Sequence, residues 1–319
     1  MPPFIEAIVF IFLLIACGYA TALSGILKEG TAEGLSNFVF TIAVPLLLFR
    51  TLTTADFGGL SPWGLWATYF GAIALSWIVS HQIMRRIFRS DVRNGVVSGL
   101  CGGFSNLVLL GLPFMLGVYG HQGLAVLSLI VSIHTPLLMA VLVVLHQWAA
   151  RADGAAIKAV RPRDIIADFL QKLFRNPLII GIVAALVVRL SGLPVPHLVG
   201  RLVDAFAGLA GPLALFTMGM GMRRFGVRGQ VSAGVFLTAI KLMLMPAIAL
   251  ALALLFHLPP LTAKVAIAAA SLPAGVNSWL IAEQFQTGQR LASTAMTIGT
   301  AFAVLTTGLW LAIAGWVFG

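Results

Sequence analysis

The 319-residue sequence predicts an all-α integral membrane protein, with ten transmembrane helices in two five-helix repeats of opposite orientation. Three observations carry that expectation: an extreme composition, an alternation of basic residues between loops, and two short motifs that recur at one offset. Hydrophobic residues make up 60% of the chain and charged residues 9%, where soluble domains are about 25% charged. With a mean hydropathy of +1.01, the chain belongs in a bilayer. A net charge of +10 does not indicate a nucleic-acid surface, because the basic residues lie between apolar segments and not in stripes interleaved with aromatics. They are topology signals.

A helix needs about 20 apolar residues to cross the hydrocarbon core. By that measure the spans are roughly 5–23, 35–54, 62–84, 95–117, 123–147, 177–192, 204–222, 232–256, 262–284 and 291–318. The connections are short except for 149–176, a cytoplasmic linker that contains the amphipathic run DIIADFLQKLFRNP. It separates a first repeat, 1–148, from a second, 177–319. Loops after odd-numbered spans hold Lys28; Arg85, Arg86, Arg89 and Arg93; Arg151, Lys158, Arg161, Arg163, Lys172 and Arg175; Arg223, Arg224 and Arg228; and Arg290. Loops after even-numbered spans and their flanks hold Arg50, Arg189, Arg201 and Lys264. By the positive-inside rule the odd loops are cytoplasmic and both termini lie outside, in a multi-pass protein of the cell (inner) membrane.

The first span contains FIFLLIAC, Phe10 to Cys17, which has the look of a signal-peptide core before a lipoprotein cleavage site. No Lys or Arg precedes it and the apolar run continues to Leu23, so an uncleaved first helix is expected. Cys17 and Cys101 both lie in apolar runs and read as packing residues, with neither a disulfide framework nor a metal cluster implied. No cofactor is expected.

LSGI at Leu23–Ile26 recurs as LSGL at Leu190–Leu193, and PLLLF at Pro45–Phe49 recurs as PLALF at Pro212–Phe216, both 167 residues apart. One offset at the ends of spans one and six and within spans two and seven indicates a duplication. Five is odd, so the two halves have inverted topology, as in secondary transporters that bind substrate at mid-membrane between interrupted helices. The same offset sets Asn106 opposite Pro273.

Helix-poor residues cluster at both places. Span four reads GLCGGFSNLVLLGLPF and span nine reads SLPAGVNSWLIAEQF. Pro273 has no N–H and its ring clashes with the carbonyl of Ala269, so span nine breaks there. Gly275 allows unusual dihedrals in the unwound turn. Asn277 suits the N-cap of the second half-helix, and Asn106 that of the half beginning at Leu107. Two half-helix N-termini meeting at mid-membrane make an anion site without a buried cation, which favours a carboxylate substrate. The candidate substrate contacts are Gly103, Ser105 and Asn106 with Pro273, Ala274, Gly275, Asn277 and Ser278. The alternative is that Gly and Pro only permit close helix packing.

Other intramembrane polar residues are few. Lys241 in span eight is a candidate for coupling, with Glu283 near the inner end of span nine as its partner, or else it snorkels or neutralises Glu283 structurally. His134, beside Thr135 and Pro136, is either a proton relay or a hydrogen-bonded packing residue. An intramembrane enzyme would need a metal cluster, a carboxylate pair or a nucleophile–base set in the membrane, and the sequence offers none.

FVFTIAVPLLLFRTL at 38–52, NLVLLGLPF at 106–114, RNPLIIGIVAAL at 175–186, PLALFTMGMGM at 212–222 and SLPAGVNSWLIAEQF at 271–285 resemble the auxin efflux carrier family of membrane transporters. The chain is similar to its compact prokaryotic members over essentially its whole length. The resemblance implies a ten-helix fold like that of bile-acid symporters and crossed-helix sodium/proton antiporters. It implies a scaffold of spans one, two, six and seven that forms a homodimer, and an elevator-type transport domain of spans three to five and eight to ten. In plant members the substrate carboxylate sits at the crossing beside a Pro-Asn pair; here Asn106 is kept and Ser105 replaces the proline. Malonate and other small dicarboxylates are the substrates such a resemblance brings with it.

The expected function is therefore a secondary transporter of a small organic anion, with a channel-like facilitator and a non-transporting carboxylate receptor as alternatives. No Asp or Glu lies at either break, so sodium coupling lacks its usual carboxylate ligand, leaving proton coupling through Glu283 or the membrane potential.

Overall fold

The computed structural model describes residues 3–28, 30–55, 61–154, 162–227 and 229–319. Lys158, Arg161 and Arg228, which entered the topology expectation, lie outside the described residues. The elements are α1 (Pro3–Ser24), α2 (Thr31–Phe38), α3 (Val44–Thr54), α4 (Pro62–Arg86), α5 (Val92–Gly103), α6 (Leu112–Ala152) and α7 (Pro162–Arg175). There follow α8 (Pro177–Ser191), α9 (His197–Phe225), α10 (Val231–Ala239), α11 (Met245–Leu255), α12 (Pro260–Ser271), α13 (Val276–Gln284) and α14 (Gln289–Phe318). Helix is the necessary choice for an apolar chain, since in lipid every backbone polar group must be satisfied within its own segment. α1 runs unbroken through Cys17.

Among the described residues seven helical segments are long and apolar enough to cross a membrane, or eight if the bent pair around Asn176 is one span. The difference from ten lies in particular places. The end of expected span four and all of span five fall in one segment, Leu107–Ala152, whose backbone leaves the helix only at Gly120 (φ 63°, ψ −159°). That conformation is essentially restricted to glycine. Expected span nine is two helices, α12 and α13, each too short to cross alone.

Three π-helical turns, Val39–Ala43, Leu107–Gly111 and Ile240–Leu244, each end two residues before a proline: Pro45, Pro113 and Pro246. A helical proline lacks the N–H that would serve the carbonyl four residues back, and its ring crowds that carbonyl. Widening the preceding turn relieves the crowding. At Pro246 the carbonyl left over is that of Leu242, and the indole Nε1 of Trp310 donates to it at 2.8 Å. Substitution of a side-chain donor for the lost main-chain bond is what makes proline tolerable in a membrane helix.

The chain divides into two compact units. The first comprises Met1–Leu60, Val108–Pro136 and Asp168–Arg224. Within it α3 packs on α8, and α1 meets α9 in backbone contact. A Cβ on Gly219 would lie 1.9 Å from the Ile15 carbonyl oxygen, so only glycine lets these two helices approach so closely. The second comprises Ser61–Leu107, Leu137–Ala167 and Phe225–Gly319. There α4 packs on α5, α11 and α12, while α14 packs on α10, α12 and α13. Met84, Val97, Cys101, Leu237 and Leu291 form a shared core, which places Cys101 as a packing residue.

Candidate functional site: a crossing of two broken helices

The site lies within the second unit, where two helices stop. α5 ends at Gly103, and Phe104 turns to extended backbone (φ −80°, ψ 120°). α12 ends at Ser271, and Leu272 does the same (φ −66°, ψ 147°), as expected of a residue before proline. The two extended segments cross as an isolated antiparallel bridge between Ser105 and Ala274. The Asn106 N–H donates to the Pro273 carbonyl at 3.0 Å. Beyond the bridge, helical backbone resumes at Leu107 and at Val276.

A broken helix strands its last carbonyls, and in a buried place each needs a donor. The end of α12 meets this requirement from three directions. The Ala268 carbonyl accepts from the Ser271 hydroxyl at 2.9 Å. Ala270 accepts from the Lys241 ammonium at 2.6 Å, and Ser271 from the Thr307 hydroxyl at 3.2 Å. Lys241 is 1% exposed and sits at the partially negative end of α12, the favourable place for a cation.

Of the residues expected at the site, Ser105, Asn106, Pro273, Ala274 and Gly275 come together, all buried. Gly103 closes α5 beside Ile73, and Ser278 is buried in the first turn of α13. Several expectations are corrected in detail. The N-cap of α13 is Gly275, with no side-chain cap, and Asn277 lies inside the first turn, half-buried. Gly275 has ordinary extended dihedrals (φ −83°, ψ 165°). Its need is space, because a Cβ there would lie 3.2 Å from the Asn106 Cα and 3.3 Å from its Cβ. Lys241 makes no ion pair with Glu283; Glu283 is exposed at the far end of α13, where its carbonyl accepts from the Gln286 side chain. His134 is buried in α6 and belongs to the first unit, whereas the crossing belongs to the second.

Four further residues were not legible as parts of the crossing. The buried Tyr69 phenol, from α4, faces the Ser105 hydroxyl. The Phe104 ring flanks Gly275. Thr307 and Trp310 reach back from α14 to carbonyls freed by a break and by a proline. Only the Phe104 position, inside the broken run, carried any local signal. Among the described residues no group of His, Cys, Asp and Glu is placed to hold a metal ion.

Residues 3–311 match the model of the family described as membrane transport protein. The chain is 26% identical over 301 residues to a Rhizobium meliloti (strain 1021) protein named "Putative malonate transporter", covering 93% of this chain and 92% of the relative. It is 23% identical over 314 residues to an "Uncharacterized transporter" of Methanothermobacter thermautotrophicus, covering 96% of each. It is 23% identical over 319 aligned residues to auxin efflux carrier component 8 of Arabidopsis thaliana, covering 86% of this chain and 87% of that one. With a buried crossing of two broken helices in an all-helical, multi-pass membrane chain, and a family match over nearly its whole length, this protein belongs to the auxin efflux carrier family of membrane transport proteins.

Proposed function

We propose that the protein is a secondary transporter of a small organic anion, working by elevator-type alternating access with the substrate carboxylate held at the crossing. The observation that carries this reading is the Ser105–Ala274 bridge, which sets the starts of two helical segments beside one another in a buried place. Helix starts carry partial positive charge; here the Leu107 N–H donates to the Ser105 carbonyl and the Ser278 N–H to the Gly275 carbonyl, each at 2.9 Å, and the proposed anion contacts are the other first-turn N–H groups. The N-cap of α13 is Gly275, which has no side chain of its own to compete for the first-turn N–H groups. Asn106, Asn277 and Ser278 add polar side chains around the same point, while Gly275 lets the two crossing segments approach closely. Malonate is the first substrate to try, since the Rhizobium relative's name points to it.

The reading includes ten spans in two inverted five-helix repeats, both termini outside the inner membrane, and a homodimer. In support, the four spans of the proposed scaffold all fall in the first compact unit, and spans three, eight, nine and ten in the second, with α6 contributing to both. Lys241 is held beside the crossing by its hydrogen bond to the Ala270 carbonyl.

The test is uptake of labelled mono- and dicarboxylates into proteoliposomes under imposed proton, sodium and voltage gradients. A carrier gives saturable flux accelerated by unlabelled substrate on the opposite side. Single-channel currents would indicate a facilitator, and binding without flux a receptor.

A further inference from the structure

The linker helix α7 has a use that the crossing does not absorb. At 3.6 residues per turn, Phe169, Leu173, Ile166, Leu170 and Phe174 fall on one half of α7, with Arg163 at its start. Asp164, Gln171, Lys172 and Arg175 fall on the other. The apolar half is itself divided: Phe169 and Leu173 are half-buried, whereas Ile166, Leu170 and Phe174, spaced four apart, are 60%, 43% and 69% exposed. Three large apolar side chains in one row at that exposure need a non-aqueous cover.

Chain geometry names the cover. The segment Phe169–Arg175 meets the apolar helix α8 at a 64° bend. The bend is fixed by Asn176, which is extended before Pro177 and whose side chain caps α8 by accepting from the Leu178 N–H at 3.0 Å. With α8 near the bilayer normal, a helix turned 64° from it runs closer to the membrane plane than to the normal. Its flanks are basic: Arg163, Lys172 and Arg175 in α7, with Arg151, Lys158 and Arg161 before it in the sequence. A strong apolar row, a charged opposite face and basic flanks at the membrane surface are the features of helices that lie in the headgroup boundary of anionic lipid.

We propose that α7 is an interfacial helix whose Ile166–Leu170–Phe174 row docks into the anionic inner leaflet, tethering to the membrane the linker between the two sequence repeats. The choice of leaflet rests on the orientation proposed above, but the docking itself does not, nor does it depend on the substrate.

The test uses the full-length protein with Cys17 and Cys101 replaced by Ser and a single fluorescent thiol label at Phe174→Cys or Gln171→Cys, reconstituted in phosphatidylcholine vesicles with or without phosphatidylglycerol. The label at 174 is expected to be quenched by nitroxide-bearing lipids and several-fold less by iodide than the label at 171. Removing phosphatidylglycerol, or making Lys172→Gln with Arg175→Gln, is expected to raise iodide quenching at 174. Equal iodide access at both positions overturns the proposal, as does a 174 label shielded from both quenchers, which would mean that the row packs on protein. An impermeant thiol reagent reports the orientation separately, so an error in leaflet is distinguishable from an absence of docking.

Discussion

The Lys241 ammonium donates a 2.6 Å hydrogen bond to the carbonyl of Ala270, an acceptor that exists only because α12 stops one residue later. The break is therefore held by a side-chain donor from outside α12. Lys241→Met keeps the apolar stem and removes the donor, leaving a buried carbonyl unsatisfied at a cost of about 1–3 kcal/mol. Thermal unfolding in detergent should show a lowered midpoint with loss of uptake, and Lys241→Arg should recover part of the stability. An unchanged midpoint in Lys241→Met would show that the carbonyl has another donor.

Gly275 is required by space. In Gly275→Ala the new methyl group meets the Asn106 backbone at 3.2 Å, and neither crossing segment can move without disturbing the Ser105–Ala274 bridge. Overpacking of this kind costs about 1–3 kcal/mol. Transport is expected to fall much further than the melting temperature, because the strain is placed at the site itself. Uptake and melting measured on the same preparation check this.

Trp310 and Pro246 should be energetically coupled. Trp310→Phe removes the donor to the Leu242 carbonyl and is expected to destabilise by about 1 kcal/mol. Pro246→Ala restores a main-chain N–H to that same carbonyl, so Trp310→Phe should cost less in the Pro246→Ala background. A double-mutant cycle of unfolding free energies reads the coupling directly; additive effects would contradict the shared-carbonyl account.

A pH effect is expected outside the membrane-spanning segments, at Asp153. Its carboxylate accepts from the Val92 N–H at 2.9 Å and from the Arg93 N–H at 3.0 Å, and pairs with the Arg93 guanidinium at 3.2 Å. Burial alone would raise this carboxyl, but those hydrogen bonds and the Arg93 charge outweigh it and hold it below the usual carboxylate range. A depressed folded-state value means that the stabilisation is complete at neutral pH and is lost as pH falls below the ordinary aspartate range toward the folded one. Asp153→Asn should lower the melting temperature at pH 7, and the gap from wild type should shrink on acidification. A gap independent of pH would remove the ionised carboxylate from the account.

Much of the site was legible because its residues break local rules. Pro273 and the Gly-Ser-Asn cluster around Asn106 weaken helices that an apolar chain needs, and the 167-residue offset pointed at the pair that the Asn106–Pro273 hydrogen bond joins. What stayed hidden depends on tertiary packing. Nothing near Thr307 or Trp310 in sequence announces which carbonyl each will serve. Asn277 illustrates the limit at shorter range: its chemistry suits a cap, but Gly275 begins the helix two residues earlier. Lys241, singled out as an intramembrane charge, is buried in the second unit, and the partner inferred from opposite charge, Glu283, lies at the other end of α13.

The central claim, that the crossing holds the carboxylate, is tested most directly by comparing wild type with Asn106→Ala and Asn277→Ala in proteoliposomes, using the best substrate of the carboxylate panel. Saturable uptake with counterflow is predicted for wild type. Asn106→Ala, which lies at the bridge, should lose at least about tenfold in kcat/KM, equivalent to about 1.4 kcal/mol, with its melting temperature nearly kept. Asn277→Ala should lose less. Transport unchanged in both variants, or a panel in which no carboxylate is bound or moved, would contradict the assignment of the crossing as an anion site.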